Sequence, residues 1–106
     1  MSTLAERALA TTDLYDPTLW SEIGAPFQGA DPEPDTVRDH LLAASILALR
    51  HRRQPRAGLE AAHALKEHAP GAVRWVVEAN SARRDALLTI QLEALYLLYP
   101  HRKSTP

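Results

Sequence analysis

Apolar residues recur along this chain at intervals of three and four positions, which is the spacing of α-helices. No stretch of useful length alternates apolar and polar residues, as a half-buried β-strand would. The expected fold class is therefore all-α, a small bundle of about four to five helices in a single domain of 106 residues.

Two short helices are predicted at the N-terminus. Thr3 and Glu6 have the spacing of a capping box, and Asp16-Pro17 is typical of an N-cap followed by the first helical position. Gly24 is the expected stop of the second helix. With about two turns this helix is marginal alone in water, so its apolar residues must dock on the rest of the chain. They are Leu19, Trp20 and Ile23.

Residues 25–35 contain three prolines, a glycine and three acids, which predicts an extended linker. Phe27, the only phenylalanine, could attach it to the core. This break divides the chain into an acidic N-terminal helical arm (1–24), the Pro-rich linker, a helical bundle core (36–100) and a basic tail (101–106).

The third helix is expected to be capped by Asp35 or Thr36 and to run to about Arg53. Its apolar residues spread around most of the helical wheel, which is typical of a central helix. A fourth helix, from about Pro55 to Ala69, has one apolar face.

The last helical stretch runs from about Ala72 to Tyr99, with a break or kink expected at Asn80-Ser81. From Ala86 onward its leucines and isoleucine cover an arc of about 220°. Because a domain this small has about one core, part of this arc is expected to form an oligomer or partner interface. The alternative is that the N-terminal helices and Phe27 cover it. The candidate interface residues are Leu87, Leu88, Leu92, Leu95, Tyr96, Tyr99 and Trp75.

The net charge of −1 conceals an asymmetry along the chain. Residues 1–36 carry seven acids against Arg7 alone, a balance of −6, and residues 37–106 carry a balance of +5. A basic cluster could bind phosphates or an acidic partner, complement the end of its helix, or lie under the chain's own acidic arm. Its members are Arg50, His51, Arg52, Arg53 and Arg56.

This cluster supports an alternative function, a small DNA- or RNA-binding regulator. Residues 55–80 have the proportions of a helix-turn-helix pair. The second helix, however, offers only Arg74 and Glu78 before Asn80, and the pI near 6.5 is unlike that of a basic binding domain. Nucleic acid is therefore the second choice of partner.

Glu60 and His63 form a Glu-x-x-His pair of the kind that carboxylate-bridged metal bundles use, and Glu67 follows His63 by four residues. One such pair is not a site, and a solvated helix normally keeps its charge on this face, so no metal or other cofactor is expected. There are no cysteines and no recognisable catalytic constellation, so an enzyme is not expected.

The longest uncharged run within a predicted helix, Leu41 to Leu49, is too short to cross a membrane, and no signal-peptide pattern follows the N-terminus. A cytoplasmic protein without a membrane partner is expected. Its predicted function is non-enzymatic: a helical interaction module that self-associates through the C-terminal helix, such as an accessory subunit, an assembly factor or an inhibitor of a larger complex.

Overall fold

The computed structural model describes residues 3–28, 32–51, 60–69, 72, 74–75 and 81–100, and of residues 60–63 and 81–82 it describes the backbone. Helices and turns without any strand make up these ranges, which confirms the predicted all-α bundle. The elements are α1 (Leu4–Ala10), α2 (Pro17–Gly24), a 3-10 turn (Ala25–Phe27), α3 (Arg38–His51), α4 (Glu60–His68) and α5 (Ser81–Leu98).

Helix α3 lies at the centre of the bundle, as its apolar pattern predicts. Every residue from Leu41 to Leu49 is buried, and α3 packs against α1, α2, α4 and α5. The alanines among these residues let neighbouring helices approach closely, while the leucines and Ile46 fill the space between them. The hydroxyl of Ser45 is fully buried there without a hydrogen-bond partner.

Helix α1 begins with the predicted capping box, in which the Thr3 hydroxyl accepts the Glu6 N–H. Three other end groups of α1 are bound by side chains of α3. The Asp39 carboxylate accepts the N–H groups of Leu4 and Ala5, at 2.9 and 3.1 Å. At the other end, the Arg50 guanidinium donates to the Ala8 carbonyl at 2.7 Å. A negative group thus lies at the positive end of α1 and a positive group at its negative end, which both stabilise the helix.

Helix α2 begins as the sequence predicts, with Asp16 accepting the Thr18 N–H and Pro17 in the first turn. Its apolar residues are buried against α3. At its C-terminal end, the His40 Nδ1–H of α3 donates to the carbonyl oxygens of Glu22 and Ile23.

An exposed ion pair joins the two N-terminal helices. The Arg7 guanidinium of α1 lies 2.6 Å from the Glu22 carboxylate of α2. This hydrogen bond holds the pKa of Glu22 below its ordinary value.

The segment 25–35 differs in part from the predicted extended linker. Residues 25–27 form a 3-10 turn, because Pro26 fits its first positions and Phe27 is buried in the core. The Phe27 ring packs edge-on against Trp75, whose indole N–H donates to the Pro32 carbonyl at 2.7 Å. Turns at residues 34–37 follow, so α3 begins at Arg38 and not directly after the expected caps.

The later helices agree with the predicted pattern where the structure describes them. Leu65 and Ala69 of the α4 region are buried, and α5 begins at Ser81, while Asn80 of the expected break lies outside the described residues. The predicted positions 52–59, 70–71 and 76–80 lie outside the described residues, as do 29–31 and the basic tail 101–106.

Replacing Asp39 with Ala should lower the free energy of unfolding by about 1–3 kcal/mol, because two N–H groups of α1 lose a charged acceptor. Urea denaturation of the variant and the wild type measures this difference. Asp35→Ala is the matched control, since Asp35 is exposed near the same end of α3, and its cost should stay within about 0.5 kcal/mol. Equal effects of the two substitutions would contradict the tertiary cap.

Gly24→Ala should also destabilise the fold, although alanine is the better helix former. Gly24 has an ordinary φ of −81°, but a Cβ there would lie 2.9 Å from the Ala69 Cβ. We expect a loss of about 1–3 kcal/mol from this overpacking. Adding Ala69→Gly should recover part of it, so the double variant should be more stable in urea than the two single losses predict. Strict additivity would show that this contact is not the cause.

Candidate interaction surface

Helix α5 carries apolar residues on two opposite faces. Its inner face packs against α3, where Leu87, Ile90 and Ala94 are buried. Its outer face carries a second set of large apolar side chains, which we call the outer stripe. These are Leu88, Leu92, Leu95, Tyr96 and Tyr99.

The outer stripe is largely open to solvent. Leu92 is 56% exposed, Leu88 42%, Tyr96 46% and Tyr99 42%, while Leu95 is half-buried at the edge of the core. Contiguous exposed apolar side chains of this size often mark an interaction site. The stripe is therefore the strongest candidate surface among the residues that the structure describes.

The structure separates the predicted interface residues into two groups. Leu88, Leu92, Leu95, Tyr96 and Tyr99 lie together on the outer stripe. Leu87 and Trp75 do not belong to it, because each is only 2% exposed and packs in the core. Trp75 instead contacts Phe27, and the Arg83 guanidinium lies 4.8 Å from its ring centre.

One exposed leucine lies away from the stripe. Leu97 is 45% exposed, but at helical spacing it points about 180° from Leu88. Between these two directions Glu93 is held in an ion pair by Arg38 of α3. Leu97 is therefore an exposed leucine of α5 that does not belong to the outer stripe.

The described part of the basic cluster faces the N-terminal helices. Arg50 is bound to the Ala8 carbonyl of α1, and His51 lies against the Tyr15 hydroxyl. The two described members of the cluster therefore contact the N-terminal arm through a carbonyl and a phenol. Arg52, Arg53 and Arg56 lie outside the described residues.

Sequence reasoning missed a group of aromatic and imidazole rings at the end of α3. The Tyr15 hydroxyl lies 2.6 Å from Nδ1 and 2.9 Å from Nε2 of His51. The His68 ring lies 5.2 Å from Tyr15 and 5.0 Å from Trp20, centre to centre. A small cleft of about 30 Å³ lies between these rings. No short sequence spacing links these residues, so only the fold brings them together.

The possible metal ligands do not form a site within the described residues. No group of three or more His, Asp or Glu side chains comes close enough to hold an ion there. Glu67 lies 3.5 Å from its neighbour His68, in a contact that is an ion pair only when the imidazole is protonated. The side chains of Glu60 and His63 lie outside the described part.

Comparison of the chain with protein-family models, with curated proteins and with solved structures finds no match. None of the described helices combines the length and apolar character needed to cross a membrane. Function must therefore be inferred from the geometry of the chain itself.

Arg50→Gln should lower the free energy of unfolding by about 1–2 kcal/mol, because the Ala8 carbonyl loses a charged donor. Urea denaturation measures the loss. Lys66→Gln is the control, since Lys66 is exposed near the end of α4 and should cost less than about 0.5 kcal/mol. If Arg50→Gln is as harmless as Lys66→Gln, Arg50 does not secure α1.

Proposed function

We propose that this protein is a non-enzymatic helical interaction module that self-associates through the outer stripe of α5. The observation that carries this proposal is the exposure of three large apolar side chains along one face of α5, followed directly by the exposed Tyr99. Their continued contact with water is unfavourable, and burial against a second apolar surface removes it. An accessory subunit, an assembly factor or an inhibitor of a larger complex would use such a face.

The energetics favour a weak, concentration-dependent association. Covering the exposed half of one large apolar side chain contributes about 1 kcal/mol. Two stripes of five such residues would together contribute on the order of 10 kcal/mol, which is comparable with the general cost of association of about 4–15 kcal/mol. Partners that meet through this surface should therefore assemble and separate readily.

Nucleic-acid binding is not favoured by any contact within the described residues. The one arginine of the basic cluster that the structure describes, Arg50, already donates to the α1 carbonyl. The two functions also differ in their response to salt. Contacts to phosphates weaken steeply as salt rises, whereas association through leucines persists or strengthens in sulfate.

Leu92→Glu should abolish self-association, because Leu92 is the most exposed member of the stripe and a carboxylate there cannot be buried without a partner. Light scattering behind a sizing column, over a range of protein concentrations and at low and high salt, measures the mass. The wild type should approach a dimer at high concentration at both salts, and the variant should remain a monomer.

Leu97→Glu is the matched control, with the same chemical change on the same helix at similar exposure but away from the stripe. It should associate like the wild type. A wild-type protein that stays monomeric throughout, or a Leu97→Glu variant that loses association equally, would refute this function.

A further inference from the structure

We propose that the occupant of the outer stripe is a second copy of this chain, with the two α5 helices packed antiparallel as a short coiled coil centred between Leu92 and Leu95. This inference rests on the proposed self-association and adds its orientation and register. Three observations support it: the spacing of the stripe, the position of a charge at its N-terminal end, and its area.

The spacing of the stripe matches a coiled-coil seam. Leu88, Leu92, Leu95 and Tyr99 follow one another at intervals of four, three and four residues. This is the alternation of the a and d positions of a heptad, which places all four side chains on the line that faces a partner helix. The buried residues of α5, Leu87, Ile90 and Ala94, follow a different line of the helix, and within the seam Leu95 also packs at the edge of the core.

The seam also pairs well with itself when the second helix is reversed. When the two-fold axis passes midway between Leu92 and Leu95, Leu92 lies opposite Leu95 of the second copy. Leu88 then lies opposite Tyr99 of the second copy. Each layer then contains two large apolar side chains, and the two-fold arrangement makes every layer occur twice. The result is a closed dimer with no unpaired seam left to recruit a third chain.

A charged residue distinguishes this orientation from a parallel pair. Asp85 is exposed and lies seven residues before Leu92, at the next a position of the same seam. In a parallel dimer the two Asp85 carboxylates would face each other in one layer, and like charges at that distance repel. In the antiparallel register they are separated by about 25 Å along the axis. Antiparallel helices also place opposite ends of their macrodipoles side by side.

The area of the stripe fits a small symmetric dimer. Its exposed side chains present on the order of 400 Å² per copy, typical of the largest functional patch on a monomer. Two copies would bury about 800 Å² through the stripe, below the roughly 1,600 Å² of a standard stable interface. An interface of this size is expected of a weak, reversible dimer and not of a permanent one.

Disulfide trapping tests the orientation cleanly, because the chain contains no cysteine. Leu88→Cys and Tyr99→Cys chains are prepared separately, one of them labelled with ¹⁵N, and mixed under mild oxidation. The proposed register brings these two positions opposite each other, within the Cα separation of about 4.4–6.8 Å that a disulfide spans. Two copies of Leu88→Cys alone would hold their thiols about 17 Å apart along the axis.

We expect the mixed disulfide to form at least ten times faster than the Leu88→Cys homodimer. Mass spectrometry identifies each linked species, and Leu97→Cys is the control that should not link. Circular dichroism verifies that each variant retains its helical content.

The other outcomes overturn the inference in distinguishable ways. Faster linkage of Leu88→Cys to itself would indicate a parallel pair. A wild-type dimer in which neither combination links would show that a different surface associates. A wild-type monomer at every concentration would refute the self-association on which the inference rests.

Discussion

The complete burial of α3 is the constraint on which the rest of this structure depends. A helix whose nine residues from Leu41 to Leu49 are all inaccessible must be covered on every side. The chain meets this demand with α1 and α2 before it and α4 and α5 after it. The same helix supplies the groups that the short N-terminal helices lack, through Asp39, His40 and Arg50. Helix α3 therefore both forms the centre of the core and caps the short helices that cover it.

This arrangement leaves α5 with more apolar surface than the chain can cover. One face of α5 closes the bundle over α3, and the chain's other described helices contact α3 mainly on its remaining sides. The outer stripe is thus a consequence of size, since a bundle built around one central helix has no further layer to place over it. Its side chains could remain at such positions only at a cost in solubility, which a dimer interface would remove.

Prediction from the sequence succeeded where the signals are local. The capping box at Thr3, the Asp16-Pro17 start and the all-round apolar pattern of α3 act within a few residues, so their spacing reveals them. The wide apolar arc of the last helix also indicated a surplus face. The sequence does not show which residues form this face, because Leu87 and Trp75 suit a core and an interface equally well. Only the packing around Phe27 and α3 places these two residues inside.

The rings of Tyr15, His51 and His68 could not be predicted for a related reason. They come from three separate parts of the chain, and nothing in their sequence spacing brings them together. The same is true of the caps on α1, whose partners lie 34 to 42 residues further along the chain. Contacts of this kind depend on how the helices pack against one another, and the spacing of residues in the sequence does not reveal that packing.

The remote origin of those caps has a consequence for the order of events during synthesis. Helix α1 is synthesised before α3, but at seven residues it is too short to persist in water. The carboxylate and guanidinium that hold its ends are not translated until residues 39 and 50, and they are positioned only once α3 has formed. Helix α1 is thus stabilised only after the central helix α3 has been completed.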